Sequence, residues 1–181
     1  VRVGIVDPTS ITDYEAHGGW TGLRRALALP PAEVVAEVTE SGLRGRGGAG
    51  FPAGIKWKTV LDTQVGQKYV CCNADEGDSG TFADRMLMEG DPLMLIEGMT
   101  IAGIATGATR GFVYIRSEYP DAIAAMKEAI AAATAAKWLG DNIQGTDKSF
   151  RLEVRRGAGA YICGEETAML ESLEGKRGMV R

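Results

Sequence analysis

Six glycines and three cations lie close together near the start of this chain, in residues 41–57. They are Gly42, Gly45, Gly47, Gly48, Gly50 and Gly54, with Arg44, Arg46 and Lys56 beside them. Glycine adopts positive φ at little steric cost and lets backbone N–H groups approach a ligand closely. Successive exposed N–H groups form a concave site for an anion. This first loop is therefore predicted to bind the phosphate of a nucleotide-type cofactor.

The first loop matches neither of the two common phosphate-binding motifs well. The Walker pattern G-x-x-x-x-G-K-S/T is absent, and although residues 45–50 fit the letters G-x-G-x-x-G, a helix rather than a strand is predicted before them. Phe51 follows directly, and its ring could either stack on a flat ligand or pack in the core. The loop is consequently interpreted as a more specialised phosphate site.

A second loop, residues 73–80, concentrates acidic and amide side chains directly after a predicted strand. Asn73, Asp75, Glu76 and Asp78 occur within six residues. Carboxylates accept hydrogen bonds from ribose or ribityl hydroxyls and from ring N–H groups. A calcium-binding loop is not indicated, since no glutamate stands at its last position. Cofactor binding and a simple solvated turn are the two interpretations that remain.

A third loop, residues 157–167, again follows a strand and precedes a helix. It begins with Gly157 and Gly159 and ends with the pair Glu165 and Glu166. Acidic residues are favoured near a helix start by the helix dipole, which is the structural explanation. Alternatively, the paired acids hold a cofactor's amide or set the charge of a redox site.

The three loops are separated by alternating predicted strands and helices. Strands are predicted at 68–72, 111–116 and 149–156, and helices at 21–29, 31–41, 55–62, 82–89, 92–105, 120–139 and 162–173, after an extended lead-in at 1–19. This alternation is typical of α/β folds with a mainly parallel sheet, which bind ligands at the carboxyl ends of the strands. We divide the chain into an N-terminal extension with helices at 1–41 and an α/β domain at 42–181.

Composition narrows the class of protein. The net charge of −4 gives no basic surplus for nucleic acid, and no apolar run reaches the roughly 18–20 residues of a membrane span. Cys71, Cys72 and Cys163 are too few and wrongly spaced for a metal cluster, and are interpreted as small buried side chains. Their sparse use and the lack of a signal peptide predict a cytoplasmic protein without membrane insertion. The single histidine, His17, is interpreted as a surface or turn residue.

Three long motifs, in the same order, resemble those of a known family. They are GLRGRGGAGFPAGIKW at 42–57, CNADEGDSGTF at 72–82, and GAGAYICGEET at 157–167 followed by LEGKRG at 173–178. The chain resembles, over nearly its whole length, the flavin- and NADH-binding 51 kDa-type subunit shared by complex I, NAD-linked hydrogenases and NAD-dependent molybdenum formate dehydrogenases. The resemblance implies a Rossmann-like three-layer α/β sandwich.

The resemblance also implies roles for individual residues. FMN would be bound by twelve residues of the three motifs: Gly45, Arg46, Gly47, Gly48, Lys56, Asn73, Asp75, Glu76, Tyr161, Gly164, Glu165 and Glu166. NADH would contact Phe51, Asp78 and Glu166, with Glu76 and Glu166 nearest the reaction. Asp78 stands where complex I relatives usually carry glutamate, so its reach is shorter.

The function implied is hydride transfer between NAD(H) and FMN, with electrons passing to or from iron–sulfur centres. The implied partners are a small 24 kDa-type subunit with a 2Fe–2S cluster and a larger catalytic subunit. The ligands of the family's 4Fe–4S cluster are not in this sequence. The residues Gly77-Asp78-Ser79 look more like the soluble formate dehydrogenase or hydrogenase branch of the family than like complex I. Within that branch we favour a formate dehydrogenase that reduces NAD+. Alternatives are a non-redox domain that binds a nucleotide or anion, and a structural subunit that has lost its flavin.

Overall fold

The computed structural model of the protein describes residues 2–46 and 49–181. Within these ranges, eight α-helices surround three β-strands: α1 (Ile11–Ala16), α2 (Thr21–Ala28), α3 (Pro31–Glu40), α4 (Ala53–Asp62), β1 (Tyr69–Ala74), α5 (Ala83–Gly90), α6 (Pro92–Thr106), β2 (Arg110–Ile115), α7 (Pro120–Ala135), β3 (Arg151–Arg156) and α8 (Glu166–Leu173). Short 3-10 helices lie at Ile143–Gly145 and Tyr161–Gly164.

The three strands form one parallel sheet in the order β1-β2-β3. Tyr69 lies opposite Arg110 at the first pair of strands, and Arg110 lies opposite Arg151 at the second. All three strands therefore end at the same edge, where the residues after β1, β2 and β3 meet. The predicted α/β fold with a parallel sheet is confirmed.

Helix α6 is the central helix of the main core. Its sequence is apolar nearly all round, and a helix of that kind is stable only when it is surrounded by protein. It packs against β1 and β2, while α7 packs against β3 and helices α2, α3 and α4 lie against α6. Ile96, Val113, Met126 and Phe150 are fully buried in this core.

The opposite face of the sheet is covered over only part of its area. Near the carboxyl edge, Tyr114 on β2 packs with Cys163 and Met169, which belong to the chain around α8. Toward the other end, Tyr69 stacks on Phe112 at 5.8 Å, and 51% of Tyr69 is exposed. The molecule thus has the three predicted layers, with the third layer incomplete over the amino-terminal half of the strands.

The lead-in differs from the predicted extended segment because residues 11–16 form α1. The Ser10 hydroxyl accepts the Asp13 N–H at 3.2 Å and caps this helix. Trp20 is the N-cap residue of α2, with a φ of 64°. Its ring is buried in a stack on Trp138, with centroids 4.8 Å apart. Tertiary packing, which a sequence pattern does not contain, orders this segment.

The last predicted helix, 162–173, is two elements. A 3-10 turn at Tyr161–Gly164 is followed by α8, because Glu165 between them takes an extended backbone conformation. The Glu165 carboxylate accepts the Ala168 N–H at 2.8 Å and so caps α8. This break turns the peptide before Glu165 toward the carboxyl edge of the sheet.

Candidate functional site

Asn73 connects the second and third loops at the carboxyl edge of the sheet. Its amide Nδ2 donates to the carbonyl oxygens of Cys163, at 3.1 Å, and Gly164, at 3.0 Å. Its Oδ1 accepts the Asp75 N–H at 3.1 Å. The side chain of Asn73 therefore holds two loops together, and a ligand in this region would meet a preformed backbone.

Asp78 and Tyr161 form a second link between the same loops. The Tyr161 hydroxyl donates to Asp78 Oδ1 at 3.1 Å, and this bond raises the pKa of Tyr161. The ring lies against Gly77, where an added Cβ would come within 2.6 Å of Tyr161. Glycine is thus required at 77 for this approach, and 69% of Tyr161 remains exposed beside it.

Glu76 is buried on the side of the second loop that faces α5. Its carboxylate accepts the backbone N–H groups of Asp84, at 3.0 Å, and Arg85, at 3.2 Å, at the start of that helix. The Tyr119 hydroxyl donates to it at 3.2 Å. Glu76 therefore caps α5. Its contact with a flavin stays a prediction, and in that contact the flavin would share the carboxylate with the three donors that already bind it.

Residues 43–45 and 51–53 of the first loop run antiparallel and pair through their backbones. The Gly45 N–H donates to the Phe51 carbonyl at 2.8 Å, and the Ala53 N–H donates to the Leu43 carbonyl at 2.9 Å. The amide of Gly45 is therefore engaged in this backbone pairing, and its predicted contact with FMN stays a prediction. Phe51 is 53% exposed, so its ring is presented to solvent rather than packed in the core. The predictions for Gly47 and Gly48 fall outside the described residues.

The first loop reaches the third through Lys56 and Glu166. Lys56 lies in the first turn of α4, and its Nζ is 3.8 Å from Glu166 Oε2. The two side chains are 66% and 73% exposed, and exposed ion pairs contribute little to stability. Both charges are therefore accessible to a ligand, and the Lys56 ammonium adds to the positive end of the α4 dipole.

Glu165 and Gly164 complete the third loop. The Glu165 carboxylate accepts the Thr167 hydroxyl at 2.7 Å as well as the Ala168 N–H, and these bonds lower its pKa. At Gly164 an added Cβ would lie 3.4 Å from the Asp75 carbonyl oxygen, at ordinary contact distance. The structural explanation for Glu165 as a helix cap is thus observed, and its predicted contact with a cofactor stays a prediction.

Arg116 and Glu118 also reach this edge, and both were missed from the sequence alone. They follow β2 directly and line a small cavity of about 60 Å³ together with Asp75 and Gly77 of the second loop and Tyr161 of the third. Applying the carboxyl-end rule to β2, as it was applied to β1 and β3, would have found both residues. Arg46, in the first loop, is exposed.

A larger cavity, of about 310 Å³, lies away from these loops on the partly covered sheet face. Phe112, Arg155 and Ser172 are among the residues that line it, and it includes no predicted site residue. Within the described ranges 2–46 and 49–181, no three His, Cys, Asp or Glu side chains are grouped to hold a metal ion. None of the helices described there is long and apolar enough to cross a bilayer.

Comparison with known proteins places the chain in a described family. Residues 38–181 match the model of the Nuo51 FMN-binding domain. The chain is 56% identical over 175 residues to the HndC protein of the NADP-reducing hydrogenase of Solidesulfovibrio fructosivorans, covering 97% of this chain and 36% of that protein. It is 54% identical over 181 residues to an NADH-quinone oxidoreductase component of Rhizobium meliloti, covering 99% of this chain and 43% of the relative.

Solved structures agree with the sequence matches. The crystal structure of an NAD+-reducing NiFe hydrogenase in the H2-reduced state superposes with a TM-score of 0.72 at 39% identity, over 89% of this chain and 27% of that chain. The chain therefore spans only about two fifths or less of the length of these relatives.

Proposed function

This chain belongs to the Nuo51 FMN-binding domain family, and we propose that it binds FMN and serves hydride transfer between NAD(H) and that flavin. One observation carries the proposal. The three loops meet at the carboxyl edge of a parallel sheet, through the contact of Lys56 with Glu166 and the bonds of Asn73 to Cys163 and Gly164. That edge is where α/β folds bind nucleotide-type ligands.

The residues at this edge fit FMN in chemical type. Lys56 supplies a cation at a helix N-terminus for a phosphate, and Asp75 supplies an acceptor for ribityl hydroxyls. Phe51 and Tyr161 offer exposed rings for flat partners. The small cavity of about 60 Å³ is far below the roughly 300 Å³ of a typical ligand pocket. The flavin is therefore proposed to lie across the open surface between the first and third loops.

The protein's contribution is to bind and orient rather than to transfer protons. FMN, when bound, supplies a ring that accepts a hydride and releases electrons singly. Because the hydride moves directly, no side chain has to act as acid or base. Phe51 would orient the nicotinamide by stacking, and Glu166 would set the charge where the two rings meet. Asn73 would keep the backbone around Gly164 in place for the flavin.

A further part of the proposal is the substrate system with which the flavin exchanges electrons. From the resemblance of Gly77-Asp78-Ser79 to the formate dehydrogenase and hydrogenase branch we infer an NAD+-reducing formate dehydrogenase, in which a 2Fe–2S subunit and a larger subunit adjoin this one. The sparse use of cysteine leads us to propose a cytoplasmic location. The relatives are named for hydrogenase and quinone systems. Assays of the native complex with formate, hydrogen and quinone, each coupled to NAD(H), decide among the three. Turnover with hydrogen or quinone alone contradicts the formate assignment.

Absorbance tests the redox proposal against a non-redox nucleotide-binding domain. The purified protein, titrated with FMN, is expected to give a stoichiometric flavin spectrum that bleaches on addition of NADH. A protein that binds a nucleotide but leaves FMN free, or that binds FMN which NADH does not bleach, contradicts the proposal.

The Glu166→Gln variant tests the role of the exposed acid near Lys56. We expect the KM for NADH and the flavin potential to change, with KM altered by about twofold to fivefold, because one exposed charge contact is lost. The free energy of unfolding is expected to change by less than about 0.5 kcal/mol, because the side chain is exposed. Steady-state kinetics measure the KM, a redox titration measures the flavin potential, and denaturation measures the free energy of unfolding.

The Glu128→Gln variant provides the control, since Glu128 is an exposed glutamate on α7. It removes the same charge and is expected to leave KM and the flavin potential unchanged. If both variants changed the KM and the flavin potential equally, the proposed role of Glu166 beside the two rings would be contradicted.

A further inference from the structure

Arg116 joins three parts of the structure beside the proposed flavin site. It directly follows β2, and its Nη1 donates to the backbone carbonyl of Glu76 in the second loop. Its Nη2 donates to Glu118 Oε1 at 3.1 Å. The guanidinium also lies over the Tyr119 ring, with Cζ 5.1 Å from the centroid. A planar group with several donors is needed to make all these contacts at once.

The second loop depends on this arrangement for its position. Tyr119, whose ring is covered by Arg116, donates its hydroxyl to the Glu76 carboxylate. Glu76 is therefore held at its carbonyl by Arg116 and at its side chain by Tyr119. The two residues on either side of it, Asp75 and Gly77, line the cavity at the carboxyl edge of the sheet.

We propose that Arg116 is a positioning residue for the proposed flavin site, which fixes the second loop so that Asp75 and Gly77 face the ligand. The inference rests on the proposed function, because that function supplies the flavin as the ligand. The part that concerns the position of the second loop depends on this chain alone. Consistent with the geometry, the bond from Arg116 holds the pKa of Glu118 down to about 2, and the Arg116 charge opposes the rise in the pKa of Asp75 that burial causes.

The test compares Arg116→Gln and Arg116→Lys with the unchanged protein by two measurements. Amide hydrogen exchange at Asp75, Asp84 and Arg85, without FMN, reports the position of the loop, because these N–H groups donate to Asn73 or to the Glu76 carboxylate. Titration with FMN, followed by flavin fluorescence, reports affinity. In Arg116→Gln we expect exchange to accelerate about tenfold and FMN affinity to fall about tenfold, as for one lost charge-assisted hydrogen bond. Arg116→Lys is expected to be intermediate, because an ammonium cannot replace the planar fork.

Arg155→Gln is the matched control. Arg155 also lies over an aromatic ring, that of Phe112 at 5.3 Å, and also bonds a carboxylate, Glu153 Oε2 at 2.9 Å. It lies on β3, facing the partly covered side of the sheet, and is not bonded to the second loop. Exchange at Asp75, Asp84 and Arg85 and the affinity for FMN are expected to stay within about twofold of the unchanged protein.

The outcomes separate the inference from the proposed function. A folded Arg116→Gln protein with unchanged exchange at Asp75, Asp84 and Arg85 and unchanged FMN affinity overturns the inference, as does an equal response of Arg155→Gln. If the unchanged protein does not bind FMN, the proposed function fails, and faster exchange in Arg116→Gln alone still supports the positioning of the loop by Arg116.

Discussion

Asp75 is the residue at which the demands of folding and of the proposed site conflict. It is largely buried at the carboxyl edge of the sheet. Burial raises the pKa of its carboxyl above the ordinary value, the charge of Arg116 opposes that rise, and Glu118 adds to it. A carboxyl whose pKa is higher in the folded state than in the unfolded chain destabilises the fold once it is ionised. Such a residue is typical of a binding site rather than of a structural core.

We therefore expect Asp75→Asn to stabilise the protein at neutral pH. The folded protein binds the proton more tightly than the unfolded chain, so the stability of the unchanged protein falls as pH rises from the unfolded pKa through the folded one. Asparagine does not ionise, so the gain should be present at pH 7 and vanish below about pH 3, under the ordinary Asp pKa. Urea denaturation at both pH values measures it.

Asp147→Asn is the control for this prediction, because Asp147 is exposed in the loop before β3. We expect it to show no comparable pH-dependent gain. If the gain of Asp75→Asn over the unchanged protein were larger at pH 3 than at pH 7, its sign would be opposite to that required by the raised pKa. That result would contradict the assignment.

At the scale of elements, local signals predicted the longest helices and strands well. Pro92 and Pro120 mark the starts of α6 and α7, as predicted, because proline is favoured in the first turn of a helix. The end of α7 was predicted four residues too late, at 139. The chain leaves the helix earlier because Lys137 adopts a φ of 63°, which an alanine-rich pattern does not indicate.

Helix α1 was missed because long-range contacts hold it. Its Tyr14 is buried and donates its hydroxyl to Glu97 on α6 at 2.6 Å. Glu97 also accepts the backbone N–H groups of Trp20 and Leu23, each at 2.9 Å, at the start of α2. One carboxylate 77 residues from Trp20 along the chain therefore anchors two helices, a pairing that no local sequence pattern contains.

Substitution Glu97→Gln should consequently loosen α1 and α2 together. Glutamine keeps the size of the side chain but offers one acceptor oxygen to three donors, so we expect a loss of about 2 kcal/mol in the free energy of unfolding. Amide hydrogen exchange should accelerate in α1 and α2 more than in β2. Glu128→Gln, at an exposed position inside α7, provides the control and should change neither measurement.

For the molecule as a whole, topology determines which predicted site residues can meet. Because β1 and β3 run parallel and belong to one sheet, the loops after them had to reach the same edge, and the Asn73 bonds to Cys163 and Gly164 confirm this part. The approach of Lys56 to Glu166 depends on how α4 packs on α6, and strand order does not determine it. The sequence therefore predicted the edge, while the pairing of individual side chains needed the fold.

The two faces of the sheet contribute unequally to the stability of the molecule. The face toward α6 and α7 contains the main core, whereas the other face is covered by α8 only near the carboxyl edge. Parallel sheets are ordinarily covered on both faces, so the half-covered side exposes aromatic surface around Tyr69. A pair of phenylalanines, one on each side, allows the difference to be measured.

Phe150, just before β3, is fully buried, and it packs so closely on α6 and β2 that an added Cβ at Gly103 or Gly111 would come within 2.6 Å of its ring. Phe112 is on the other face of β2, half-buried between Tyr69 and Arg155.

We expect Phe150→Leu to lower the free energy of unfolding by at least about 1 kcal/mol and Phe150→Ala by about 3–5 kcal/mol, because a cavity is left in the core. Phe112→Ala should lower it by less than about 1.5 kcal/mol, since much of that ring area already meets water. Denaturation of the three variants compares the two faces, and equal losses for the two alanine variants would mean that both faces are covered equally in the protein.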